Sequence, residues 1–112
     1  MMRMISLAAC TFLLAACASH ERAAPQSVEA RGQALVQANC SACHATGRSG
    51  DSPAPEAPPF RTLSQNYRVA QLQEALGEGI SVGHPAMPQF TFAPDDVDAI
   101  VAYLQSIQEA PH

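Results

Sequence analysis

Lysine is missing altogether from this 112-residue chain: the six basic residues are arginines, at positions 3, 22, 31, 48, 61 and 68. A partner that recognises a ring of lysines finds none here. Ten acidic residues leave a formal net charge of −4, which excludes a basic face for nucleic acid. Charge of either sign is sparse, at 14% of residues. No apolar run reaches the ~20 residues that a transmembrane helix requires. Alternation of apolar and polar residues is also missing, so no strand is expected. What remains is a chain that is 47% hydrophobic and long enough for one core and no more.

The four cysteines fall into two unlike pairs. Cys10 and Cys17 lie in an apolar N-terminal stretch, whereas Cys40 and Cys43 sit beside His44. A two-bridge disulfide framework would need all four in one compartment, and the N-terminus argues against that. Residues 1–16 join one positive charge, Arg3, to an apolar run that includes Ile5, Leu7, Phe12, Leu13 and Leu14, the pattern of a signal peptide. Leu14-Ala15-Ala16-Cys17 resembles the bacterial lipobox, which implies lipidation of Cys17 as the first residue of the mature chain. Leu7-Ala8-Ala9-Cys10 has the same form but too short an apolar run before it. The alternative is an ordinary cleaved signal ending near Ala18. Residues 17–26, with Ser19, Ala23, Ala24, Pro25 and Gln26, read as a flexible linker, a leash of roughly 30 Å when fully extended. The expected organisation is therefore a leader over 1–16, an anchored linker over 17–26 and one domain over 27–112.

Within that domain Val28, Gly32, Leu35 and Val36 recur at helical spacing, with Ser27 placed to cap a helix that runs to about Cys40. Gly32 marks a crossing point with another helix. From Ala45 to Pro59 the prolines and glycines exclude a helix or central strand. A short helical turn near Phe60–Gln65 precedes a helix from about Arg68 to Leu76, ended by Gly77 and Gly79. Gly83, Pro85 and Pro88 then present Met87 on an extended loop. Pro94 opens a last helix, with Asp95, Asp96 and Asp98 near its positive end and Val97, Ile100, Val101, Leu104 and Ile107 on one face. The fold class is all-α.

Cys40-Ser41-Ala42-Cys43-His44 is the attachment pattern of a c-type haem. Two sulfurs at this spacing reach the two vinyl groups of a porphyrin, and the adjacent imidazole is a strong axial ligand for the iron. A CxxC redox dithiol or half of a zinc site would also use two such cysteines. The first wants a βαβ pattern that is absent; the second needs two more ligands, for which His84 with His20 or His112 show no paired spacing. Met1, Met2 and Met4 fall in the leader, which leaves Met87 as the methionine of the mature chain and the candidate sixth ligand. A core methionine is the plain alternative. His84 is the rival ligand, ranked lower because Pro88 fixes the loop directly after Met87.

With the motif at the end of a first helix, a methionine in a proline-bounded loop and a final amphipathic helix, the chain resembles the class I bacterial cytochromes c over about residues 27–109. That resemblance implies that the first and last helices cross near Gly32 and Tyr103. It further implies that the Pro58 carbonyl accepts the ring N–H of the proximal histidine, and that Phe60 packs on the haem. The segment Gly79-Ile80-Ser81-Val82-Gly83-His84-Pro85-Ala86-Met87-Pro88 resembles the distal loop of short members. Tyr67 and Arg68 stand where polar side chains reach the haem propionates, or are simply solvated.

The expected function is one-electron transfer, not catalysis, between a redox donor and a redox acceptor in the bacterial periplasm. The protein would be a monomer or the subunit of a respiratory complex, held to a membrane through Cys17. With no lysine available, an exposed haem edge within an apolar rim is the expected docking surface. The alternatives are a haem-based gas sensor or peroxidase-like enzyme whose distal ligand is labile, and the dedicated cytochrome subunit of a dehydrogenase or oxidase.

Overall fold

Ser27 accepts a hydrogen bond from the Ala30 amide at 3.1 Å and so starts α1, Val28–Cys40, at the expected residue. A computed structural model describes residues 24–79 and 86–110 of the chain. Cys10 and Cys17, the leader and most of the linker, His20, His84 and His112 lie outside the described residues. Within them the architecture is helical with no strand: α1, a 3₁₀ segment at Phe60–Gln65, a second at Val69–Gln71 running into α2 (Leu72–Glu78), and α3 (Pro94–Ser106).

α3 has no side-chain cap at Ala93; Pro94 at the first helical position and Asp95 and Asp96 in the first turn take over that role. Its buried face carries Val97, Ile100, Val101 and Leu104, with Ile107 just past its end, as the spacing predicts. α1 packs chiefly against α3. Gly32 makes the crossing possible: a Cβ there would run into the Ala99 carbonyl and stand 2.8 Å from the Tyr103 Cβ. Val36, Phe60, Leu63, Val69, Ile100, Tyr103, Leu104 and Ile107 form the core, edged by Leu35, Cys40, Leu72, Leu76 and Phe92.

Three local expectations need correction. Val28, placed on the buried stripe of α1 by its spacing, is 54% exposed and takes no part in the core cluster. The second helix begins as a 3₁₀ turn and only becomes α-helical at Leu72. Gly77 does not end it but lies inside; the stop is Gly79, at φ 74°, a left-handed conformation that glycine adopts without strain.

Candidate haem site

α1 ends by curling one turn further than its last residue. The Cys40 carbonyl accepts both the Cys43 amide, at 3.2 Å, and the His44 amide, at 3.0 Å, so the second cysteine and the histidine follow the first around one tight turn. Asn39 and Ser41 satisfy other carbonyls of the helix end, their side chains donating to Leu35 O at 2.8 Å and Gln37 O at 2.6 Å. The backbone on either side of His44 is then pinned from the loop that follows. Ala54 N–H donates to Cys43 O (3.1 Å), Ser52 Oγ accepts from Ala45 N–H (3.0 Å), and Phe60 N–H donates to Ala45 O (2.9 Å).

The His44 ring Nδ1 lies 2.8 Å from the Pro58 carbonyl oxygen. A carbonyl can only accept, so Nδ1 carries the proton and the other ring nitrogen keeps a free lone pair. Phe60 is buried and stacks on the same ring, with centroids 4.4 Å apart and planes at 30°. Two contacts therefore fix the orientation of one imidazole.

These residues line a cleft of about 710 Å³, counted to its open mouth, together with residues from a distant part of the chain. One part of the lining comes from Asn39, Cys40, Ala42, Cys43, His44, Ala54, Glu56, Ala57 and Pro58, and the other from Ala86, Met87, Pro88 and Phe90. Its chemistry is telling: among the described residues it holds two thiols, one imidazole and one thioether amid mostly apolar groups, with Glu56 as the one carboxylate of that lining. Such a set suits a flat apolar group that carries a soft, nitrogen- and sulfur-loving metal.

The other uses of two cysteines fit less well. Burial pushes the Cys40 thiol up to about 11, so at neutral pH it is a protonated thiol and a poor nucleophile for a dithiol exchange. Among the described residues no three His, Cys, Asp or Glu side chains converge as a metal cluster; the further zinc ligands considered, His20, His84 and His112, lie outside them.

Some features were not foreseen. Phe60 does not line the cleft but lies beneath His44. The aromatic that lines it is Phe90, which itself stacks on Phe92 at 5.4 Å. Phe90 had a readable signal, an aromatic three residues beyond Met87 in a stretch without helical spacing. Tyr67 and Arg68 are exposed and line no part of the cleft.

An all-α fold with a CxxCH turn on such a cleft defines a small c-type cytochrome, a protein that binds haem c covalently and works by haem-based electron transfer. The chain matches the family model "Cytochrome C oxidase, cbb3-type, subunit III" over residues 27–104, and it belongs to that family. Neither the curated proteins nor the solved structures offer a significant match.

Proposed function

We propose that this protein is a one-electron carrier whose haem is attached through Cys40 and Cys43 and ligated by His44 and Met87. The observation that carries the reading is the meeting of these four side chains on one cleft, although Met87 lies more than forty residues beyond His44 in the sequence. Each thiol would add across a vinyl group, its sulfur bonding to one carbon and its hydrogen going to the neighbouring carbon, so the cofactor cannot escape. His44 is supplied in the right tautomer by Pro58 and kept from rotating by Phe60. Met87 adds a thioether, which favours the reduced state and a relatively high potential. The bound haem contributes an iron that gains and loses one electron without bond making in a substrate. Ala42, Ala54, Ala57, Ala86 and Phe90 keep the surroundings apolar, which disfavours the added charge of the oxidised state.

The electron would pass between protein partners at the mouth of the cleft, where Ala42, Cys43, Ala86 and Pro88 are exposed. The family's name supports membership of a respiratory oxidase complex over a freely diffusing carrier. Among the described residues no helix is long and apolar enough to cross a membrane. The sequence supports attachment by lipid on Cys17 after removal of residues 1–16, with residues 17–26 as the leash, on the periplasmic side of the bacterial envelope. Multiple acyl chains, at roughly 0.8 kcal/mol per buried CH₂, would hold it firmly. Mass analysis of the mature N-terminus should find a lipidated Cys17; an unmodified terminus near Ser19 would refute the anchor.

Redox titration of the haem-loaded protein tests the carrier itself. A reversible one-electron wave that moves to lower potential in Met87→His is expected. A wave unchanged in that variant, or rapid carbon monoxide binding by the resting reduced protein, would instead favour a labile distal site and a sensing or peroxidase-like role.

A further inference from the structure

The family match ends at residue 104, yet Gln108 and Glu109 just beyond it make several long-range polar contacts. Gln108 donates through Nε2 to the Phe60 carbonyl at 2.8 Å and accepts through Oε1 from the Ser64 amide at 2.8 Å. The Glu109 amide donates to the Arg61 carbonyl at 2.8 Å, while its carboxylate accepts from Arg61 Nε at 2.9 Å. Arg61 extends the chain of bonds: its Nη1 donates to the Gly50 carbonyl at 2.7 Å, in the loop between His44 and Pro58. The Arg61 side chain is only 17% exposed, so these charge-assisted bonds are partly shielded from water.

We propose that residues 106–109 form a strap and that Arg61 is a positioning residue, which together hold the His44–Pro58 hydrogen bond at its working length. The inference rests on the reading of His44 as an axial ligand. Geometry gives the reason. Pro58 and Pro59 join directly to Phe60 and Arg61, so the strap's bonds to Phe60 O, Arg61 O and Ser64 N fix the C-terminal end of the loop that carries the Pro58 carbonyl. Arg61 fixes the middle of the same loop through Gly50, and Phe60 N–H ties it back to Ala45, next to His44. Tyr103, whose hydroxyl donates to Thr46 O at 2.7 Å, holds the loop's beginning. An Nδ1–H bond to a carbonyl makes the imidazole a better donor to the iron and stabilises the oxidised state. Loosening the strap would therefore weaken that donation and raise the midpoint potential.

The test compares the haem-loaded parent with Arg61→Gln and Gln108→Ala, each of which cuts the strap at a different place. Arg31→Gln serves as reference, because the Arg31–Asp96 pair joins α1 to α3 without touching the loop. Midpoint potential and urea unfolding are read for these four and for Arg61→Lys. A positive shift of potential in both strap variants, with none in Arg31→Gln and partial restoration in Arg61→Lys, is the expected result. Loss of stability with no movement of the potential in either strap variant would overturn the positioning role. Equal shifts in the Arg31→Gln reference would overturn it too, as general loosening. If Arg61→Gln does not fold, Gln108→Ala decides. A parent protein that never shows the spectrum of a histidine-ligated haem would strike the ligand reading first, and is told apart from failure of the strap by the parent alone.

Discussion

The two walls of the cleft are built differently. On the His44 side the backbone is pinned at Cys43, Ala45, Thr46 and Gly50 by bonds from the loop, from Tyr103 and from Arg61. On the Met87 side, among the described residues, the tie is the Phe92 amide bonded to the Leu76 carbonyl at 2.9 Å, with Gly79 packed against Thr91 and Phe90 nearby. The His44 wall is shaped by these bonds before any cofactor is considered, so its imidazole is oriented in advance, whereas Met87 would add its thioether from a separate stretch of chain.

The largest effect should come from the pinned wall. On the proposed ligation, replacing His44 by Ala would remove the axial nitrogen, and visible absorption should show loss of the histidine-ligated haem, whereas Met87→Ala should keep the histidine-bound haem and lose the sulfur-ligation band. If Met87→Ala is the more damaging of the two, the contrast between the walls is wrong. Next in size is Gly32→Ala, whose Cβ meets Ala99 and Tyr103 at the helix crossing that carries Cys40 and His44. Overpacking of this kind costs about 3 kcal/mol, to be read by urea unfolding. Gly79→Ala strains a φ of 74° and brings a methyl within 2.9 Å of Thr91 Oγ1. It should cost about 1–2 kcal/mol and loosen the Met87 wall, seen as an earlier loss of sulfur ligation on raising the urea concentration.

The smallest of these effects sharpens the comparison through pH. Burial pushes the Tyr103 phenol above its ordinary value of 10.0, with nearby Arg48 acting weakly in the other direction. A raised folded value means that its contribution is complete below pH 10.0 and is lost as pH climbs through the folded value. A phenolate also cannot donate to Thr46 O. Tyr103→Phe should therefore cost about 1 kcal/mol at neutral pH and flatten the alkaline fall in stability, as measured by unfolding between neutral and strongly alkaline pH.

Much of this architecture could be read beforehand, for a physical reason: it rests on short-range patterns. Ser27, the CxxCH turn, Gly32 and the Pro94 helix each announce themselves within a few residues. The fate of Gly77 was less legible, because a glycine inside a helix and one at its end differ only in backbone angle. Val28 follows the period of α1 yet stays outside the core. Phe60 was expected against the haem, and its place under His44 depends on a stack between segments sixteen residues apart. The Arg61–Glu109 and Gln108 contacts span more than forty residues and involve polar groups, which leave no period in a sequence. Local chemistry was visible; long-range polar ties were not.

The central claim is tested most directly by an absorption spectrum of the purified protein, oxidised and reduced, made in a host that attaches haem c. Sharp low-spin bands are expected from the parent protein, with the weak red band of a sulfur-ligated oxidised iron that vanishes in Met87→Ala. A high-spin spectrum, or a red band that survives loss of Met87, would contradict the account.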